Sequence, residues 1–375
     1  MASNKAHASS RIVKVPFPIA LIRRMDEAIV AERGGFGSRA ELMREAVENL
    51  LNELDFPDAA PEAASPRIAG SERGDVGGEQ AIGEDVETGP EADAMAPLLG
   101  DLPDWERSEL TLGDLAGTAL RAPDQQPVLV RNGVAQRRDE PLLGLHNRDY
   151  VSIWALRRLA RYTEEQPILF EEYLQRVTRA AWYYGWQLQG LEGDGSGRKL
   201  TVLFPTNLSK RPSAERGFQT FAVGSLGRRG VDGIQPSGPL FSWQAVQVDE
   251  ENRIGLTEPG WRLMQELNGL SLDLPHAPDS AVNFLRFLAE FAPGDRWGFD
   301  QVLLSVTDGP DRERLVSDFA EVHSEWTRST ASSIAQGYVA RAREWGLVEP
   351  RLVDGRYWLT ETGRTLNRTD QSADL

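Results

Sequence analysis

The sequence predicts a mainly α-helical chain with small β elements, and three observations carry that expectation. Near the start, between Arg11 and Ile29, the apolar residues change from a period of two to a period near four. In the middle, residues 55–104 are rich in Ala, Gly, Pro, Glu and Asp and almost free of aromatics. At the end, Ser332–Leu366 reads in the order helix, strand, tight turn, strand, cap. The predicted organisation is a polar, disordered start at 1–10, a strand–helix–helix unit at 11–54, an acidic flexible linker at 55–104, and α+β domains at 142–270 and 278–367.

The first unit opens on a strand. Val13, Val15 and Phe17 alternate on one face from Arg11 to Phe17, and Leu21, Ile22, Met25 and Ile29 then form a helical stripe. The second helix starts at Ser38, with Glu41 three residues on as in a capping box, after the permissive Gly34, Gly35 and Gly37. Its apolar face runs through Leu42, Met43, Ala46, Val47, Leu50, Leu51 and Leu54. Forty-four residues bury too little to stand alone, and a single strand leaves its amides and carbonyls unpaired. A symmetric homodimer, with Arg11–Phe17 paired antiparallel to its own copy, satisfies both needs.

Taken in order, the alternating strand ending before Pro18, the helix LIRRMDEAI and the opening GSRAELMREAV resemble the ribbon–helix–helix family of the MetJ/Arc type. The resemblance implies paired strands lying in the DNA major groove, which admits a two-stranded ribbon. With Val13, Val15 and Phe17 inward, Ile12, Lys14 and Pro16 face outward, and Lys14 is placed to donate to guanine or phosphate. Arg11 flanks the ribbon, and Ser38 and Arg39 bring the amino end of a helix to a phosphate. Family ribbons place polar side chains at all three outward positions, whereas here two are Ile12 and Pro16. Base recognition is therefore expected to use few hydrogen bonds, with Ile12 against thymine methyls.

The chain carries a formal charge of −16, which opposes binding to a polyanion only if it is evenly spread. It is not. Residues 55–104 hold thirteen acids against Arg67 and Arg73, a local charge of −11, which leaves about −5 for the rest. Such a segment cannot bury enough apolar area to offset its ordering entropy.

In the last region, a helix with Ile334, Tyr338, Ala342 and Trp345 stops at Gly346, followed by Leu347–Val348, a Val-Asp-Gly turn at 353–355, and Tyr357, Trp358 and Leu359. Thr360 then caps a final turn through Glu361–Gly363, and helices are expected upstream at 281–292, 298–306 and 311–327. This order is similar to the winged-helix superfamily. A looser copy of the ending, NRIGLTEPGWRLMQEL at Asn252–Leu267, closes a region that opens with DYVSIWALRRLARY and FEEYLQRVTRAAWYYGWQL. A first winged-helix-like domain with insertions around 190–243 is expected there. Arg341 and Arg343 on the last long helix, with Arg351 and Arg356 on the wing, are candidates for a second DNA contact. Glu321, Glu325, Asp311 and Asp318 make the neighbourhood mixed in sign, and a protein-binding role stays open beside it. The aromatics of WYYGW, Trp182–Trp186, are expected in the core.

Other function classes find little support. The chain has no cysteine, and His7, His146, His276 and His323 lack metal-ligand spacing, so no metal or cofactor is expected. No phosphate loop of the GxxxxGK[ST] form and no GxSxG elbow occurs, and an enzyme is not expected. The glycine-rich stretches at 193–198 and 223–230 are read as loops or hairpin turns. No apolar run spans a membrane and no signal peptide is evident, so a cytoplasmic, nucleoid-associated protein is expected. Its partners are double-stranded DNA, a second copy of itself, and a protein partner for the carboxy-terminal domains. The leading expectation is a transcriptional regulator; a DNA-anchored partition or assembly adaptor and an antitoxin-like role remain as alternatives.

Overall fold

The computed structural model describes residues 119–120, 122–130, 139–142, 146–192, 204–228, 234–271, 278–323 and 325–373. The expectations for 1–104, and with them Arg11, Ile12, Lys14, Pro16, Ser38 and Arg39, lie outside the described residues. What is described is mostly helical, with small antiparallel strand pairings.

Strand β1 (Ala119–Leu120) pairs antiparallel with β7 (Leu270–Ser271). Between them, α1 (Asp149–Tyr162) has an apolar surface so broad that nearly every residue is buried. Strand β2 (Ile168–Leu169) leads directly into α2 (Phe170–Glu192). It joins β6 (Arg253–Leu256) and β5 (Val246–Val248) in a sheet of order β2-β6-β5, with Ile168 opposite Ile254 and Val246 opposite Leu256. Helix α3 (Arg211–Phe218) runs into a π-helical turn at Gln219–Val223. A hairpin of β3 (Ser225–Arg228) and β4 (Ile234–Ser237) follows, so the glycine-rich stretch at 223–230, read as a loop or hairpin turn, supplies the first strand of a hairpin. After the hairpin come the short α4 (Pro239–Ser242) and, beyond β6, α5 (Glu258–Glu266).

The second segment comprises α6 (Pro278–Phe291), α7 (Pro293–Val306), α8 (Arg312–Val322), α9 (Arg328–Glu344) and α10 (Glu361–Ala373). Helix α7 starts five residues before the expected boundary because Pro293 occupies the first turn, where its missing N–H costs nothing. The helix expected over 311–327 instead ends at Val322, and Thr327 caps a new helix by accepting from the Thr330 amide at 3.2 Å. Between α9 and α10, Val348 bridges Leu359 and Val353 bridges Arg356 around a turn with Asp354 at φ 53° and Gly355 at 74°. Positive φ at both central residues is the geometry an Asp-Gly hairpin favours. The single turn expected after Thr360 extends to Ala373, seated by Gly363 against Leu347 and by Asn367, which donates to Thr307 at 2.9 Å.

The segments read as separate domains share one hydrophobic core, which runs from Leu142 to Leu359. Tyr184 belongs to that core, Trp182 is buried, and Trp186 is 37% exposed beside Tyr183. Trp154, Tyr184, Phe204 and Phe218 make an aromatic cluster in the first segment. On α6, Phe284 stacks on Trp345 with centroids 4.5 Å apart and meets the edge of Trp243 at 5.4 Å.

Candidate nucleic-acid interface

The four arginines expected to form a second DNA contact divide sharply. Arg341 is 1% exposed and therefore is not available to a phosphate. Its Nε donates to Asp149 Oδ1 at 2.8 Å, and its two terminal nitrogens grip Asp295 at 2.7 and 2.6 Å. A helical position alone does not tell which side of a helix an arginine takes, and here the partners are two carboxylates distant in sequence.

Around Arg341 a closed polar cluster is assembled from three helix ends. Asp149 opens α1, Asp295 lies in the first turn of α7, and Arg341 sits in the last turn of α9. Asp295 also accepts from Tyr338 at 2.7 Å and from the Trp243 indole at 2.8 Å, while Asp149 accepts from the Trp345 indole at 2.7 Å. His146 places Nε2 2.9 Å from Asp149 and Nδ1 2.6 Å from the Phe221 carbonyl.

The electrostatics follow from this packing. Burial alone would raise the Asp149 pKa, but the Arg341 guanidinium and the His146 and Trp345 donors hold it below the usual carboxylate range. Burial likewise opposes the charge on Arg341, and the two aspartates reverse that effect and raise its pKa. Tyr338 is pushed well up by burial and by Asp295. Glu344 accepts from the Asp149 amide at 2.6 Å and the Tyr150 amide at 3.4 Å. Its carboxyl is pushed up to about 7 by burial and by the Asp149 charge. With all three nitrogens of Arg341 and both carboxylates engaged and shielded from solvent, this cluster binds the fold together rather than a ligand.

The other arginines lie at or near the surface. Arg343 is half-buried, donates to the Glu349 carbonyl at 3.1 Å and lies over the Tyr357 ring at 5.3 Å, so it props the hairpin against α9. Arg351 and Arg356 are exposed on the hairpin, and Arg356 also donates to the Gly309 carbonyl at 3.0 Å. Sequence reasoning missed the face next to them. The amino half of α9 turns Arg328, Ser329, Ser332, Ser333 and Gln336 outward, while Ala331, Ile334 and Ala335 are buried. The spacing of those three apolar residues was the available signal, because it fixes the opposite side of the helix as solvent-facing. A cleft of about 490 Å³ lined by Arg312, Glu313, Val316, Arg328, Ser329 and Ser332 borders this face.

Among the described residues no group of three or more His, Asp or Glu is placed to hold a metal ion, and no helix is long and apolar enough to cross a membrane. Comparisons of the chain with protein-family models, with curated proteins and with solved structures found no match.

Proposed function

We propose that the protein is a homodimeric DNA-binding protein, most simply a transcriptional regulator, that inserts a two-stranded antiparallel ribbon into the major groove. The observation that carries this reading is the alternating apolar pattern at Arg11–Phe17 followed by two stretches of helical apolar spacing, with no second alternating stretch nearby in the sequence. Only a second copy supplies its missing pairing partner, and such a ribbon matches the groove in width. The described residues support the reading in a second place. The outward side of α9 is short-chained and polar, and Arg351 and Arg356 extend from the adjoining hairpin. Helix and hairpin together suit a groove and its flanking phosphates.

The test is electrophoretic shift of genomic fragments by the full chain at low salt. Binding is expected, and Lys14→Ala is expected to weaken it and flatten its salt dependence by about one unit of slope. Absence of any shift at low salt rejects the proposal. A second reading, a DNA-anchored assembly adaptor, is favoured by one observation. Leu352 (46% exposed), Val353 (50%) and Trp358 (37%) put apolar surface on the hairpin, as a protein contact requires. Genome-wide mapping separates the two: sites at promoters support regulation, and long arrays away from promoters support assembly.

A further inference from the structure

Two stretches of the described chain repeat one another contact for contact. In each, a tryptophan ends a helix and the next residue has positive φ, Gln244 at 55° and Gly346 at 65°. A valine two residues further then pairs across to a leucine, Val246 to Leu256 and Val348 to Leu359. The threonine after each leucine donates its amide back to the first strand, Thr257 to Ala245 at 3.1 Å and Thr360 to Leu347 at 3.0 Å. Each threonine hydroxyl also caps a helix by accepting from a glycine amide three residues on, Gly260 and Gly363, at 3.1 Å in both. A Cβ on either glycine would stand 2.0 or 2.1 Å from those same carbonyl oxygens.

The helices that lead to the two tryptophans differ at first sight. Helix α9 has 17 residues, whereas α3, the π turn and α4 have 8, 5 and 4, which together make the same length. The β3–β4 hairpin interrupts the second set, and its two ends touch: a Cβ on Gly238 would lie 2.4 Å from Gly224 Cα. A π turn, a local departure from regular α-helical bonding, stands at the point where the hairpin leaves. With the hairpin left out, RPSAERGFQTFAV and PLFSW lie on RSTASSIAQGYVA and RAREW, so that Arg211 matches Arg328, Gln219 matches Gln336, Phe221 matches Tyr338 and Trp243 matches Trp345. The two halves also exchange their bonds. The tryptophan of each donates to the aspartate that opens a helix of the other, Trp243 to Asp295 and Trp345 to Asp149. Reciprocal contact of this kind is what a two-fold interface between copies produces.

We infer that the two segments are copies of one unit fused into a built-in dimer, and that the copies have divided their work. The second copy faces double-stranded DNA with the outer side of α9 and its hairpin, while the first serves as the clamp that holds it. This rests on the DNA-binding reading above. Charge and geometry set the division. In the first copy the matching helix is broken by the inserted hairpin, and Glu215 stands where α9 has Ser332. Glu215 is committed to that copy's own packing, accepting from the Trp182 indole at 3.1 Å and from Arg211 at 2.7 Å. The turn between β5 and β6 holds Asp249, Glu250 and Glu251 against Arg253, which pairs with Asp249 and Glu251, where the second copy's turn holds Arg351 and Arg356 against Asp354. Although Arg328 pairs with Glu313, the second face presents more positive charge to a polyanion than the first.

The chain contains no cysteine, which allows a single one to be placed as a tether. Ser329→Cys on α9 and Pro212→Cys on α3 are matched, exposed positions of the two copies. Each full-length variant is coupled to a DNA-cleaving iron chelate and bound to a fragment that the unmodified protein shifts. Strand cleavage is expected from position 329 and none from position 212, and Arg328→Glu is expected to weaken binding about tenfold while Arg211→Glu leaves it within about twofold. Cleavage from both positions, from position 212 alone, or from neither while Lys14→Ala still weakens binding overturns the division and leaves the ribbon reading intact. Failure of the unmodified chain to shift any fragment rejects the DNA-binding reading and this inference together.

Discussion

Trp345 donates its indole N–H to Asp149, 196 positions away in the chain, at 2.7 Å. The bond ties the end of α9 to the beginning of α1, and Trp243 ties the end of α4 to the beginning of α7 in the same way. Neither segment can then lose its packing without stripping a buried carboxylate of the other. The described residues are expected to unfold as one cooperative unit.

Removing either indole donor while keeping an aromatic ring tests that coupling. Trp345→Phe and Trp243→Phe are each expected to destabilise by about 1–3 kcal/mol, the cost of a buried acceptor losing one partner. Urea unfolding followed by circular dichroism measures both losses. In the double variant the losses are expected not to add, because Arg341 holds both aspartates.

Arg341→Met leaves two buried carboxylates facing each other's charge without a cation. A loss of about 3–5 kcal/mol is expected, with Arg341→Lys recovering only part of it because an ammonium does not reproduce the fork on Asp295. Denaturant midpoints of the three proteins decide the matter. A stability equal to that of the unsubstituted chain contradicts the buried assignment.

Glu344 makes stability depend on pH in a defined sense. Its carboxyl titrates at about 7 in the fold against 4.5 ordinarily, with burial the first cause, the Asp149 charge the second, and Arg148 opposing them. A raised folded pKa contributes stability that is complete below about 4.5 and is lost as pH rises through about 7. Asp149 has a lowered pKa, stays ionised across this window and adds no slope of its own. Unfolding midpoints measured across the window are expected to fall with pH in the unsubstituted protein and to stay nearly level in Glu344→Gln.

Gly260 and Gly363 are bound to the absence of a side chain by contact, since a Cβ would meet a carbonyl oxygen at 2.0 or 2.1 Å. Gly260→Ala and Gly363→Ala are each expected to cost about 1–3 kcal/mol through forced backbone movement. Gly217→Ala is the control, because nothing lies within 4 Å of its would-be Cβ. Thermal unfolding of the three variants distinguishes contact from a general loss of backbone freedom.

Local order was legible where local chemistry fixes it. The cap at Thr360, the stop at Gly346, the Asp-Gly turn, helix α6 and the start of α8 follow from periodicity and from residues that satisfy helix ends. The repeated ending at Thr257 and Thr360 was visible for the same reason. The polar cluster was not legible, because Asp149, Asp295 and Arg341 meet through tertiary packing and read along the chain as ordinary surface charges. Arg341 was therefore placed on the outside, although Tyr338 and Ala342 beside it already marked a buried side. The interruption of the α3–α4 helix was equally hidden, since nothing between Gly224 and Gly238 announces that the chain resumes the same helix after the hairpin.

The meeting of Gly224 and Gly238 has a consequence for how this protein tolerates change. The chain leaves the helix and returns to it through a gap barely wider than one backbone contact. The excursion rests on the interior only near its base, where Leu226 packs against the core and Pro236 is buried. The position is a natural port: beyond Leu226 and Pro236, a longer excursion, a shorter one or a grafted module with closely spaced ends can occupy it while the entry and exit at the two glycines stay where they are.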